Sequence, residues 1–161
     1  MARTSFEVTE FNDPAFVGLL LPILKEIFTR TGVNEIKPED YIHQLAHALF
    51  TNQPVKIYTA IEKKTGEIGA VAILTAGGFP PRIWIEVLGQ AKKFAKQRPA
   101  QKLYQKLVSD AEKSGIKEMY CIVRKPAAAK LFMKEATFRP KEVVLVKQIG
   151  GMKGGRRQTK N

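Results

Sequence analysis

Val55-Lys56-Ile57-Tyr58-Thr59-Ala60-Ile61-Glu62, then Lys63-Lys64-Thr65-Gly66, then Glu67-Ile68-Gly69-Ala70-Val71-Ala72-Ile73-Leu74-Thr75: two runs rich in β-branched and apolar residues flank four turn residues. β-branched side chains pack well on a pleated surface, and a glycine closing a short connection supplies positive φ without strain. The stretch predicts a β-hairpin over residues 55–75. Upstream, residues 5–11 read as a first strand with Phe6 and Val8 on one face. Downstream, Gly77-Gly78-Phe79-Pro80-Pro81 makes a second turn and residues 83–88 a further strand.

Helices lie on both sides of this strand block. Asp13 is the expected cap of a first helix whose first residue is Pro14, where a missing amide hydrogen costs nothing. Leu20, Ile23, Leu24, Ile27 and Phe28 recur at helical spacing, Gly32 is the stop, and Pro22 predicts a kink. A second helix starts near Pro38, with Ile42, Leu45, Ala46 and Leu49 as its buried stripe, and ends before Pro54. After a basic connector, Pro99 opens a third helix that closes at Gly115. Residues 116–123 then read as a strand, 126–136 as a short helix and 143–149 as a final strand. The predicted order is βααβββαβαβ, an α/β domain with a mixed, mostly antiparallel sheet flanked by helices.

The chain has 161 residues and 44% hydrophobic content, enough for one domain with a proper core. Residues 1–10 lack the basic-then-apolar pattern of a cleavable leader, so an intracellular, cytoplasmic place is expected. The longest apolar run, residues 16–24, falls far short of the roughly 20 residues that span a bilayer, which argues against a membrane. A single cysteine, Cys121, excludes an internal disulfide and a cysteine-rich zinc site, and its setting predicts a core strand. His43 and His47 lie four apart on the second helix, but no third ligand is evident. Packing is the preferred reading and no metal site is expected.

Charge is unevenly placed. Residues 1–90 hold 8 basic against 10 acidic residues, a net −2, whereas residues 91–161 hold 19 against 5, a net +14. Such asymmetry suggests an anionic partner: phosphate, nucleic acid or an acidic protein face. Residues 150–161 have almost nothing to bury, so free in solution this tail should be disordered. An ordered tail would be held by a neighbour, and a protein assembly partner is therefore expected. Lys153, Arg156, Arg157 and Lys160 also suit a nucleic-acid arm, with an inert solubilising tail as the alternative.

The order of elements resembles the GNAT (general N-acetyltransferase) superfamily. Glu67-Ile68-Gly69 followed by Ala70-Val71-Ala72-Ile73 is similar to the family's third strand. Residues 103–115 resemble the helix after its coenzyme A loop, and residues 129–138 its terminal helix with a closing phenylalanine. The resemblance covers residues 6–149 and implies a GNAT-like domain over 1–149 with a basic tail at 150–161. It implies a coenzyme A diphosphate resting on backbone amides at a helix start. Here that window is Ala95-Lys96-Gln97-Arg98-Pro99-Ala100. Arg98 stands where the family has its first glycine, and Pro99 removes an amide donor. Gln97, Arg98, Ala100, Gln101 and Lys102 are the cofactor-binding candidates that follow. Lys92, Lys93 and Lys96 add candidate anion contacts, unless the run is simply a solvated connector.

Acetyl transfer also needs a base for the incoming amine and a proton donor for the departing thiolate. Glu86, on the central strand, stands where the resemblance places a base; the alternative is a solvent-facing strand carboxylate. Met133 takes the place of the family's tyrosine acid and Pro126 that of its asparagine, leaving Tyr104 and Tyr120 as nearby phenols. Trp84 could stack a base, or belong to a core or interface. The resemblance with these losses implies weakened or lost acetyl transfer and a binding or structural role, in bacteriophage a virion protein. Acetyl-CoA is the cofactor if the protein is active and otherwise none is expected. A working N-acetyltransferase and a nucleic-acid binder are the alternatives.

Overall fold

Residues 5–77, 79, 82–123, 125, 130 and 134 are described in the computed structural model. Among these residues, five strands form one sheet in chain order: β1 (Phe6–Phe11), β2 (Val55–Glu62), β3 (Ile68–Gly77), β4 (Arg82–Gln90) and β5 (Met119–Cys121). All neighbours are antiparallel except β4 and β5, which are parallel. The hairpin is as its residues predict. Gly66 takes φ 72° and its amide closes on the Glu62 carbonyl at 2.9 Å.

The first helix does not form as one piece. A 3-10 helix (Pro14–Leu20) leads into α1 (Leu21–Thr31), and Asp13 caps it through Ala15 N–H at 2.8 Å. Pro22 therefore sits in the first turn of α1, where no intrahelical donor is lost, and the predicted kink is replaced by a change of helix type. α2 (Pro38–Phe50) and α3 (Pro99–Lys113) begin on their prolines. The basic connector is a second 3-10 helix (Lys92–Gln97). β5 is shorter than predicted, because Ile116 N–H still closes the end of α3 on the Ala111 carbonyl at 2.9 Å. The predicted strand at 143–149 and the tail lie outside the described residues, as does the 126–136 helix apart from Lys130 and Lys134.

Two apolar layers sandwich the sheet. On one face Leu20, Ile23, Leu24, Ile27 and Phe28 meet Ile57, Val71, Ile73 and Val87, with Leu45 of α2 beside them. On the other, Leu103 and Leu107 of α3 lie over Ala60, Ala70 and Ala72, small residues that let the helix approach. Each fully buried leucine contributes about 1.5–3 kcal/mol. The predicted stripe of α1 is buried throughout, while in α2 Leu45 and Ala48 are the buried positions. His43 and His47 are exposed, so the packing expected of them is not found. No group of three metal-binding side chains occurs among the described residues. Cys121 is half-buried on β5.

Both faces are shaped by β-bulges. Between β2 and β3 the pairing passes from Ala60↔Ala70 to Ile61↔Ile68, skipping Gly69. Between β3 and β4 it passes from Ile73↔Val87 to Leu74↔Ile85, skipping Glu86. A bulge inserts one residue, bends the strand and re-aims a side chain. The Gly69 that opens the quoted apolar run is thus the extra residue of a bulge. A Cβ there would meet Phe6 Cε1 at 2.4 Å.

Candidate functional site

The second bulge falls where the sheet opens. β5 pairs with β4 at Ile83, Trp84 and Ile85, and among the described residues no strand follows along that edge of Glu86–Gln90. Glu86 is the first residue beyond the pairing, and it is exposed. Thr75 Oγ1 donates to Glu86 Oε1 at 2.6 Å, which fixes the carboxylate on the α1/α2 face. Tyr41 of α2 lies near enough for the Glu86 charge to add to burial in pushing its phenol well above the ordinary range. Tyr41 and Thr75 were missed by the sequence reading, since neither belongs to a local pattern.

On the other face, the start of α3 is already satisfied from within. Arg98 adopts φ 51°, ψ 50°, the left-handed conformation that the replaced glycine would take freely. Pro99 has no N–H to give. Ala100 N–H is held by Gln90 Oε1 at 3.2 Å, and Gln101 N–H by the Arg98 carbonyl at 3.1 Å. Gln90 also donates through Nε2 to the Ala95 carbonyl at 3.3 Å, tying β4, the second 3-10 helix and α3 together. Gln90 has no motif of its own and was not found by sequence. An amide cradle for a diphosphate needs donors that point outward, and these three positions offer none. The residues present do not fit a backbone-cradled coenzyme A diphosphate.

Two of the cations around this loop, Lys93 and Lys102, have neighbours of their own. Gln97, Arg98, Gln101 and Lys102 are exposed at the 3-10 to α3 junction, with Lys96 beside them. Lys93 is drawn off to Glu67 in an ion pair, and Lys102 lies 5.8 Å from the Phe6 ring centre. The Lys92 backbone N–H donates to Glu26, and Lys92 lines an open hollow of about 590 Å³ with Pro22, Lys25, Glu26, Thr29 and Arg30. Lys153, Arg156, Arg157 and Lys160 lie outside the described residues, as do Met133 and Pro126. Tyr104 of α3 lies close to Cys121; burial raises both, and the cysteine's charge adds to the tyrosine's shift. A thiol held protonated is a poor nucleophile. Tyr120 instead donates its hydroxyl to Glu118 at 2.7 Å.

The overall architecture is shared with solved acetyltransferases. A predicted acetyltransferase from Clostridium acetobutylicum, solved with acetyl-CoA, is 17% identical over 89% of this chain and 96% of its own, with a TM-score of 0.71. The fold is the GNAT fold. A probable acetyltransferase shares 15% identity over 90% of this chain and 99% of its own, at a TM-score of 0.72. An aminoglycoside 6′-N-acetyltransferase from Acinetobacter baumannii shares 12% over 91% and 100%, at 0.68. No protein-family model and no curated protein matches the sequence. Identities this low establish the GNAT architecture and leave the activity to be argued from the site. No helix among the described residues is long and apolar enough to cross a membrane.

Proposed function

We propose that this chain is a GNAT-fold protein with weakened acetyl transfer, holding acetyl-CoA poorly and acting chiefly as a binding component. One observation carries the reading: the Ala100 amide is occupied by Gln90, beside a proline that has no amide to offer. A hydrogen bond to a charged group contributes about 1.5–3 kcal/mol. Losing two such donors at a diphosphate therefore weakens binding by orders of magnitude while the rest of the cleft persists. An assembly role, in a virion or in the cytoplasm, belongs to the same proposal and rests on the basic tail at residues 150–161.

Calorimetric titration with acetyl-CoA is the test. Wild-type protein should show no saturable binding at micromolar ligand, and Gln90→Ala, which frees the Ala100 amide, should tighten binding by about tenfold or more. Saturable micromolar binding by the wild type would overturn the reading.

A second reading is a working N-acetyltransferase. What favours it is Glu86, lifted from the ladder by the bulge, oriented by Thr75 and set where β4 leaves β5. A carboxylate so placed can take a proton from an amine. Thiol release from acetyl-CoA across a panel of amines, lost in Glu86→Gln, would establish this reading; no turnover with any amine would end it.

A further inference from the structure

Four side chains from three strands share one face beside the opening of the sheet. Thr75 and Trp84 are cross-strand partners, as are Trp84 and Tyr120, so all three project the same way. Glu86 joins them through its bond to Thr75. The Trp84 and Tyr120 rings lie 5.2 Å apart at 38°, and the Arg82 guanidinium sits 4.9 Å from the Tyr120 ring centre. Trp84 and Tyr120 are half-exposed and Glu86 is exposed. A hydroxyl-oriented carboxylate next to an indole and a phenol is the chemistry that recognises an ammonium on an apolar body: charge to the carboxylate, body to the rings. The surface also discriminates by charge number. Arg82, over the Tyr120 ring, brings a positive charge to the same surface, which disfavours a second cation there.

We propose that Glu86, Trp84 and Tyr120 bind a monoamine with an aromatic or apolar body, the ammonium at Glu86 and the body against the two rings. The inference rests on taking the cleft as an acyl-transfer site, in which the amine would be the acceptor, yet it is measurable without cofactor. Trp84 is the chain's one tryptophan, so its fluorescence reports directly on this surface.

Full-length protein is titrated with phenethylamine, exciting the indole selectively, with 2-phenylethanol and spermidine as controls. Phenethylamine should give a saturable change in emission, spermidine weaker binding, and the uncharged alcohol none. Glu86→Gln should weaken phenethylamine by at least about tenfold, with circular dichroism checking that its fold is unchanged; Tyr120→Leu should weaken it too. Equal binding of amine and alcohol, tighter binding of spermidine, no saturable response, or a Glu86→Gln protein that binds like wild type would each overturn the proposal. Acetyl-CoA calorimetry on the same preparation separates the two readings: tight cofactor binding alongside selective amine binding defeats weakened transfer and leaves the amine site standing.

Discussion

Ile27 occupies the space that a side chain on Gly89 would need: a Cβ built there would lie 2.6 Å from Ile27 Cδ1 and 2.7 Å from Cγ1. Ile27 is 2% exposed, inside the layer between α1 and the sheet, and has nowhere to retreat. Gly89→Ala should therefore lose about 1–3 kcal/mol through overpacking. Scanning calorimetry reads this as a fall in Tm of about 2–4 °C for each kcal/mol in a chain of this size. An unchanged Tm would mean that α1 can shift away from β4.

Arg98 gives the opposite expectation. An L-residue at φ 51° carries strain of roughly 1–2 kcal/mol that glycine does not. Arg98→Gly should stabilise the protein by about 0.5–1 kcal/mol after the added freedom of the unfolded chain is subtracted. Arg98→Val should destabilise it by roughly 1–3 kcal/mol. Urea unfolding of both variants measures the pair.

Stability should fall at both ends of the pH range. The Thr65 hydrogen bond, with backbone amides of Thr65 and Lys64, holds the Glu62 carboxyl below its usual value; Lys106 does the same for Asp110. A lowered folded value means that the contribution is complete above the ordinary carboxylate range and is lost as pH falls through the folded one. At the other end, burial, reinforced by Glu10 and Asp110, pushes Tyr58 up to about 12. Its contribution is present below the ordinary value of 10.0 and is lost as pH rises toward the folded one. Urea midpoints across pH should show both limbs, with Glu62→Gln flattening the acid limb and Tyr58→Phe the alkaline one.

Legibility in the sequence followed the range of the interaction that decides each element. Gly32, Gly66 and Gly115 mark stops and a turn because positive φ is a property of one residue, and all three take φ between 72° and 77°. The α1 stripe reads correctly for the same local reason. Residues 92–97 carry no amphipathic period, and so a 3-10 helix passed for a connector. Glu86 could be suspected from its strand, but not its bulge, which depends on register against β3. Alternation would put Ile85 and Val87 on one face; the structure pairs Ile85 with Leu74 beside α3 and Val87 with Ile73 beside α1. Thr75 and Gln90 act across strands and layers, and no local pattern announces either.

That skipped position makes the scaffold separable from its reactive group. Because β4 is longer than its neighbour by one residue there, excising Glu86 would let Ile85 and Val87 become consecutive while each continues to face the layer it already faces. The shortened protein should fold with a flatter sheet and no carboxylate at its mouth: an intact frame from which the business end has been cut cleanly away.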